Sequence, residues 1–405
     1  MTRSVLFIGT SYYNSYYLAR ELRKLGWKAT VMTYPGDMSE QFGHGWDLEV
    51  KFGGRLPGLL RRSGVVARAF LGHNILHFNG VGNLRAAYFA WPRLSRLEGR
   101  DISFLKRLGK KIVYSQSGCL DGVSQSSFAR WGDRPVCLDC VWKSNPAVCN
   151  DEKNLAWGRL RNALCDFQVS AGGNRVDFND DPRIHEVPEF YCLDPDVWSP
   201  EQAIPAEHRL KIPDETVKIY HAVGNFDMRT SVEGRRNIKS THVYVPTVQR
   251  LKDNGYNVEM VFIKDVPGRV VRYYQLQSDI VVDMLTYGFY GANVREAMML
   301  GKPVVCYLRL EWLDSIRREI PEFVAELPIV SATPENVYEV LEDLVRNPDK
   351  RREIGRRSRE FALRWHSSRR AAQRFDAIYS DLLRGGPGLP AAPQTREYAN
   401  ALKAS

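Results

Sequence analysis

The sequence predicts an α/β protein built from two doubly wound Rossmann-like domains that face each other across a cleft. Three observations carry this expectation. At 405 residues the chain exceeds what one ordinary core organises, so two domains are expected. Short apolar runs alternate with helical patterns almost from end to end, the mark of parallel sheets covered by helices. A proline- and acid-rich stretch without periodicity, LDPDVWSPEQAIPAEHRLKIPDE at 193–215, interrupts that alternation near the middle.

Taken in order, residues 5–9 read as a strand, 16–25 as an amphipathic helix and 28–34 as the next strand. Strands follow at 74–78 and 111–114, the second preceded by a helical pattern at 102–108, and 167–171 completes the series. Beyond the linker, strands are expected at 217–223, 258–263, 280–285, 304–308 and 328–331, separated by helices at 241–254, 270–277 and 334–346. A basic helical pattern over 349–383 is too long for one crossover element. The expected organisation is a first domain over 1–195 with a cysteine-rich insertion at about 117–150, a linker at 196–215, a second domain over 216–384 and a flexible tail at 385–405.

Composition narrows the function classes. With 44% hydrophobic and 26% charged residues the chain has the make-up of a soluble globular protein. No apolar run approaches the roughly 18–20 residues that span a bilayer. The opening MTRSVLFIGTSYYN has too short an apolar run for a signal peptide, so a cytoplasmic protein is expected, with room for peripheral association at a membrane surface. Fifty-seven basic against 47 acidic residues give a net charge of +10, which suits a nucleotide diphosphate or an acidic lipid surface. No recognisable nucleic-acid-binding motif is present, and no nucleic-acid partner is expected.

The most informative stretch is 278–305, SDIVVDMLTYGFYGANVREAMMLGKPVV. An apolar strand enters the turn Gly288-Phe289-Tyr290-Gly291, a helix opens at Ala292-Asn293, and Gly301-Lys302-Pro303 returns the chain to a strand. Such a right-handed crossover aims helix N-terminal N–H groups at an anion. The segment resembles the nucleotide-sugar-binding signature of group 1 glycosyltransferases, through Glu296-Ala297-Met298 and Gly301-Lys302-Pro303-Val304-Val305. The resemblance extends over about 217–383. It takes in His221-Ala222, Asn237-Ile238-Lys239-Ser240-Thr241, Ser278-Asp279 and Trp365-His366-Ser367.

That resemblance implies the GT-B fold and transfer from a nucleotide-diphosphate sugar, with retention of configuration and without a catalytic metal. The second domain would hold the donor, the first a glycan, lipid-linked or small-molecule acceptor as in polysaccharide biosynthesis, and the last helix, 371–382, would cross back to the first domain. Lys239 would pair with the donor diphosphate, whose charge grows as the glycosidic bond breaks. Glu296 would accept the ribose hydroxyls. Gly9, Asn225, Tyr290, Gly291, Ala292 and Asn293 would complete the donor site. Asn293 and Glu296 also fit a capping box, which gives the glutamate a purely structural alternative. Arg235 and Arg236 read as a solvated loop face.

Two departures stand out. A second glutamate usual eight positions before Glu296 is Gly288 here, and Asp283 is the substitute, joining Lys239 and Glu296 as candidate catalytic residues unless it merely caps a turn. A His-Gly pair usual after the strand at 112–114 is Ser117-Gly118. His77 is the nearest alternative, though a packed core histidine is the commoner outcome. Gly9-Thr10-Ser11 is not a dinucleotide fingerprint. The rival reading is a catalytically silent GT-B protein that binds a sugar nucleotide or glycan, and an epimerase or phosphorylase on the same fold ranks third.

Cys119, Cys137, Cys140 and Cys149 are spaced C-x17-C-x2-C-x8-C, which favours a closed structural zinc site over an iron–sulfur cluster or free thiols. Cys165, Cys192 and Cys306 sit in apolar contexts and read as core residues. Residues 53–72 intersperse arginines with apolar residues, as a membrane-surface helix does, but a helix packed on the first sheet explains them better.

Overall fold

The computed structural model describes residues 2–9, 12–34, 45–52, 56–97, 99–119, 121–170, 174–231 and 234–389. Among the described residues, twelve strands form two all-parallel sheets. The first contains β1 (Ser4–Ile8), β2 (Lys28–Thr33), β3 (Leu48–Glu49), β4 (Ile75–Asn79), β5 (Lys111–Ser115), β6 (Phe167–Val169) and β7 (Ile184–His185), in the order β3-β2-β1-β4-β5-β6-β7. The second contains β8 (Val217–Val223), β9 (Val258–Lys264), β10 (Ile280–Val282), β11 (Val304–Cys306) and β12 (Val330–Ser331), in the order β12-β11-β10-β8-β9. The α/β class read from the alternation is the class observed.

Each strand order reverses once, beside β1 in the first sheet and beside β8 in the second. Crossovers leave in opposite directions at such a point, so the backbone opens a crevice at the strand C-termini. Gly9 follows β1, Asn225 follows β8 and Asp283 follows β10, which places all three at these openings.

Several boundaries differ from the periodicity, each for a local reason. β10 ends at Val282 and β11 at Cys306, short of the expected 285 and 308. Beyond them Leu285 N–H turns to Ser240 Oγ at 3.0 Å instead of staying in the ladder. The helix Asp151–Leu164 was not expected: its inner face buries Asn154, Arg161 and Asn162 beside Trp157, so the apolar stripe is faint. Its start is nonetheless capped by Asn150, which accepts Lys153 N–H at 3.0 Å. β3 and β7 have two residues each, too few for any period.

The basic pattern at 349–383 resolves into two helices, Pro348–Trp365 and Ser368–Leu383, with Ser367 capping the second. Ala371, Phe375, Ile378, Tyr379 and Leu382 form a buried stripe at helical spacing. That stripe packs the last helix on the first sheet: Asp376 accepts Trp27 Nε1–H at 2.8 Å, and Tyr379 Oη lies 2.6 Å from His77 Nδ1. Of the tail expected from 385, residues 385–389 are tied down, Gly388 N–H bonding to Asp381 at 3.0 Å, and 390–405 lie outside the described residues.

The helix Leu56–Leu71 buries Val66, Ala69 and Phe70 against Leu6, Ile8, Leu76 and Phe78 of the first sheet. Its stripe is therefore spent on packing. No helix among the described residues is long and apolar enough to cross a membrane.

Candidate functional site

The second sheet places an ammonium, a carboxylate and a helix N-terminus together. Asp283, fully buried just beyond β10, accepts a charge-assisted hydrogen bond from Lys239 Nζ at 2.6 Å. Lys239 is held by its loop. Ser240 adopts a left-handed conformation (φ 61°) at the start of the helix Thr241–Asp253, and Asn237 Oδ1 accepts Thr241 Oγ1–H at 3.2 Å. Tyr244 Oη–H, one turn on, donates to the Asp283 carbonyl at 2.6 Å, closing loop onto strand end.

The helix Ala292–Met299 starts beside this pair, with Gly291 at its N-cap. A Cβ on Gly291 would lie 4.0 Å from Lys239 Nζ. Unbonded N–H groups of the first helical turn and the ammonium thus address one space, the arrangement that holds phosphates. Asp283 Oδ2, the Tyr220 hydroxyl and Asn293 Nδ2, all buried there, have no hydrogen-bond partner among the described residues.

Glu296 is the fifth residue of the helix, and Asn293 the second, so the capping box weighed from sequence does not form. Instead Glu296 Oε1 accepts the Tyr13 hydroxyl at 2.6 Å, across 283 positions of sequence. Tyr13 immediately precedes the helix Asn14–Lys24, beyond β1 of the first sheet. This contact joins the two sheets at their switch points. Burial pushes the Glu296 carboxyl up to about 7, against the opposing pull of Tyr13, Arg295 and Lys239. Asn293 Oδ1 is occupied by Gln275 at 2.8 Å, which anchors the helix start to its neighbour.

The raised Glu296 value has a stability consequence. Between its ordinary 4.5 and about 7 the folded chain keeps a proton that the unfolded chain releases. Stability is therefore expected to fall by ~3 kcal/mol as pH rises through that window, from this group alone. Glu296→Gln should flatten the fall, read as the difference in urea midpoint between pH 5 and pH 8; an unchanged difference would assign it to other groups.

The remaining expected donor residues divide. Gly9 takes φ +77° and its carbonyl accepts Asn79 Nδ2–H at 3.1 Å, while Thr10 and Ser11 lie outside the described residues. Asn225 opens a short helix in a left-handed conformation at the end of β8. The Tyr290 side chain is buried, with its hydroxyl 2.9 Å from His366 Nε2, so only its backbone borders the helix start. His77 is buried between Tyr379 and Ser115, both at 2.6 Å, and burial lowers it to about 3. It is a packed neutral histidine, as the commoner alternative held. Two further residues belong to the site: Tyr13, which no local pattern marks, and Arg295, buried with its guanidinium 4.9 Å from the Tyr191 ring centroid.

Arg309 explains why residue 288 carries no side chain. Gly288 has φ +101°, and a Cβ there would fall 2.6 Å from both Cβ and Nε of Arg309. Arg309 is fully buried and donates to the carbonyls of Trp131 and, at 3.0 Å, Arg134. The place of the second glutamate is thus taken by an arginine that binds the cysteine-rich segment. Arg236 is exposed, as a loop-face residue should be, but it also bonds buried Asp139 through Nε at 2.8 Å.

Cys119, Cys137, Cys140 and Cys149 line one small apolar cavity of about 80 Å3. Burial and the neighbouring thiols push Cys119 up to about 12 and Cys137 to about 11. Among the described residues no group of three or more His, Cys, Asp or Glu side chains is disposed to hold a metal, so a zinc site is not shown. Cys165, Cys192 and Cys306 are buried. Two wide depressions of about 630 and 620 Å3 both border Arg175 and Arg318, and none of the expected donor residues lines either. The converging polar groups at the strand ends, rather than volume, mark the candidate site.

No family model matches the chain, and no curated protein matches it in sequence. In structure it is similar to a sucrose-phosphate synthase from Thermosynechococcus elongatus, with a TM-score of 0.56 at 13% identity over 95% of this chain and 100% of that one. It is equally similar to HepE from Anabaena in complex with UDP, with a TM-score of 0.56 at 12% identity over 94% and 100%. HepE in complex with UDP-glucose gives 0.56 at 13% identity, over 94% and 99%. At such identities the likeness shows the fold, the GT-B architecture over nearly the whole chain.

Proposed function

We propose that this protein is a glycosyltransferase that takes its sugar from a nucleotide-diphosphate donor seated on the second sheet. The observation that carries the reading is the convergence of Lys239, the N-terminus of the helix Ala292–Met299 and Glu296 on one strand-end opening. The ammonium and helix N–H groups would receive the diphosphate, and Glu296 the ribose hydroxyls. HepE, solved with UDP and with UDP-glucose, makes uridine donors the first to test.

In the reaction the bond from the anomeric carbon to the diphosphate oxygen breaks and a bond to an acceptor hydroxyl oxygen forms. The leaving phosphate oxygen takes the acceptor proton, a front-face course that retains configuration and needs no protein base at Ser117 or His77. Lys239 and the helix N-terminus offset the negative charge that grows on the leaving group. Glycan, lipid-linked and small-molecule acceptors would enter from the first domain, over 1–195. A structural zinc on the four cysteines belongs to the same reading and takes no part in the chemistry.

Incubation with a panel of nucleotide sugars tests this. Donor hydrolysis or transfer is expected, reduced in Glu296→Ala. Tight nucleotide binding without turnover of any donor, with candidate acceptors present, would instead establish the silent sugar-nucleotide-binding protein. That second reading is favoured by one observation: Arg309 fills the position from which a second carboxylate would approach the sugar.

A further inference from the structure

The cysteine-rich segment lies against the second half of the chain at several points. Trp131 and Arg134 offer carbonyls to Arg309. Tyr307 Oη–H donates to Asp133 at 2.6 Å, Arg134 pairs with Glu335 at 2.8 Å, and the rings of Phe128 and Tyr287 meet edge-on at 5.8 Å. Most telling is Asp139, the residue between Cys137 and Cys140 that penetrates deepest. Its buried carboxylate receives Arg236 Nε at 2.8 Å and Nη2 at 2.7 Å, with His242 Nε2 at 3.7 Å and Thr286 Oγ1 at 3.5 Å. Arg236 precedes Lys239 by three residues, His242 follows it by three, and Thr286 leads into the turn at Gly288. One carboxylate therefore ties together both loops that frame the candidate donor site.

That carboxylate sits on backbone with no regular structure: no helix or strand lies between Ala129 and Asp151. Irregular loops of this size are not stiff by themselves. What the segment does have is four thiols around one cavity, with a tight knuckle in which Cys140 N–H bonds to the Cys137 carbonyl at 3.2 Å.

We propose that Cys119, Cys137, Cys140 and Cys149 bind one zinc ion, and that this metal-organised knuckle is a latch that holds the Lys239 loop through Asp139 and Arg236. On binding, the four thiols close on the metal as thiolates and release their protons to solvent, four Zn–S bonds replacing four S–H bonds. Lys143, which lines the same cavity, offsets part of the resulting negative charge. The latch rests on the transferase reading only for its consequence at the donor; metal content and loop mobility do not depend on it.

The test uses full-length protein purified without chelator. Elemental analysis is expected to find one zinc per chain, lost in the double variant Cys137→Ser/Cys140→Ser. Hydrogen exchange should then be roughly tenfold faster over the amides of 234–242 in metal-depleted protein, and in Asp139→Asn, which keeps its zinc. Substoichiometric zinc, or iron with sulfide in its place, would overturn the metal assignment. Full zinc with unchanged exchange of those amides in Asp139→Asn would overturn the latch. If both hold and no nucleotide sugar is turned over, the latch stands and the transferase reading alone fails.

Discussion

If the proposed transferase reading holds, Lys239→Ala is expected to lower kcat/KM for sugar transfer by about 10²–10³, because on that reading the variant removes a cation that faces the departing diphosphate. The loss has a second component, since the alanine leaves Asp283 buried and unpaired beside an already unpartnered Oδ2. An orphaned buried carboxylate costs roughly 3 kcal/mol of folding stability. The double variant Lys239→Ala/Asp283→Asn separates the two. It should recover most of the stability, read by urea denaturation, while transfer stays depressed. Recovery of transfer along with stability would show that Lys239 serves the fold and not the donor.

The second large effect concerns Gly288. Restoring the glutamate usual in the resembled family, Gly288→Glu, is expected to destabilise the protein by ~3 kcal/mol or more and to bring no gain in turnover. The residue holds φ +101°, where a side chain is strained, and its Cβ would meet the stem of Arg309 at 2.6 Å. One of the two 2.6 Å clashes is with Arg309 Cβ, which cannot swing aside as a guanidinium could. Relieving it means pulling Arg309 off the Trp131 and Arg134 carbonyls, and so loosening the cysteine-rich segment. Thermal unfolding of the purified variant checks this, and a melting temperature equal to that of the parent would show that the space is freely available.

Both effects follow from how differently the two kinds of information were legible. The strand–turn–helix–strand unit at 278–305 could be read because its apolar runs, glycines and helix start are consecutive. The pairing of Lys239 with Asp283 is not legible in sequence, because a loop lysine and a strand-end aspartate have no fixed spacing. Glu296 was singled out, yet its partner Tyr13 lies 283 positions away and no local pattern announces it. Arg236 is an exposed loop residue, and sequence alone does not show its acceptor, because Asp139 belongs to the other half of the chain. The helix Asp151–Leu164 escaped for a related reason: its buried face carries Arg161, which is satisfied by Asp121 at 2.7 Å and so reads as polar surface in sequence.

What the sequence determined by itself was the architecture: two parallel sheets, their covering helices, and a helix N-terminus presented at a glycine turn. These follow from backbone sterics and from the period of apolar residues, which are properties of neighbours in the chain. The tertiary structure decided the rest. It buried Glu296 against Tyr13, closed the Gly288 position and brought Asp139 to Arg236. Each depends on desolvation and on which groups meet, and those are settled only when segments that are not neighbours in the chain are packed together.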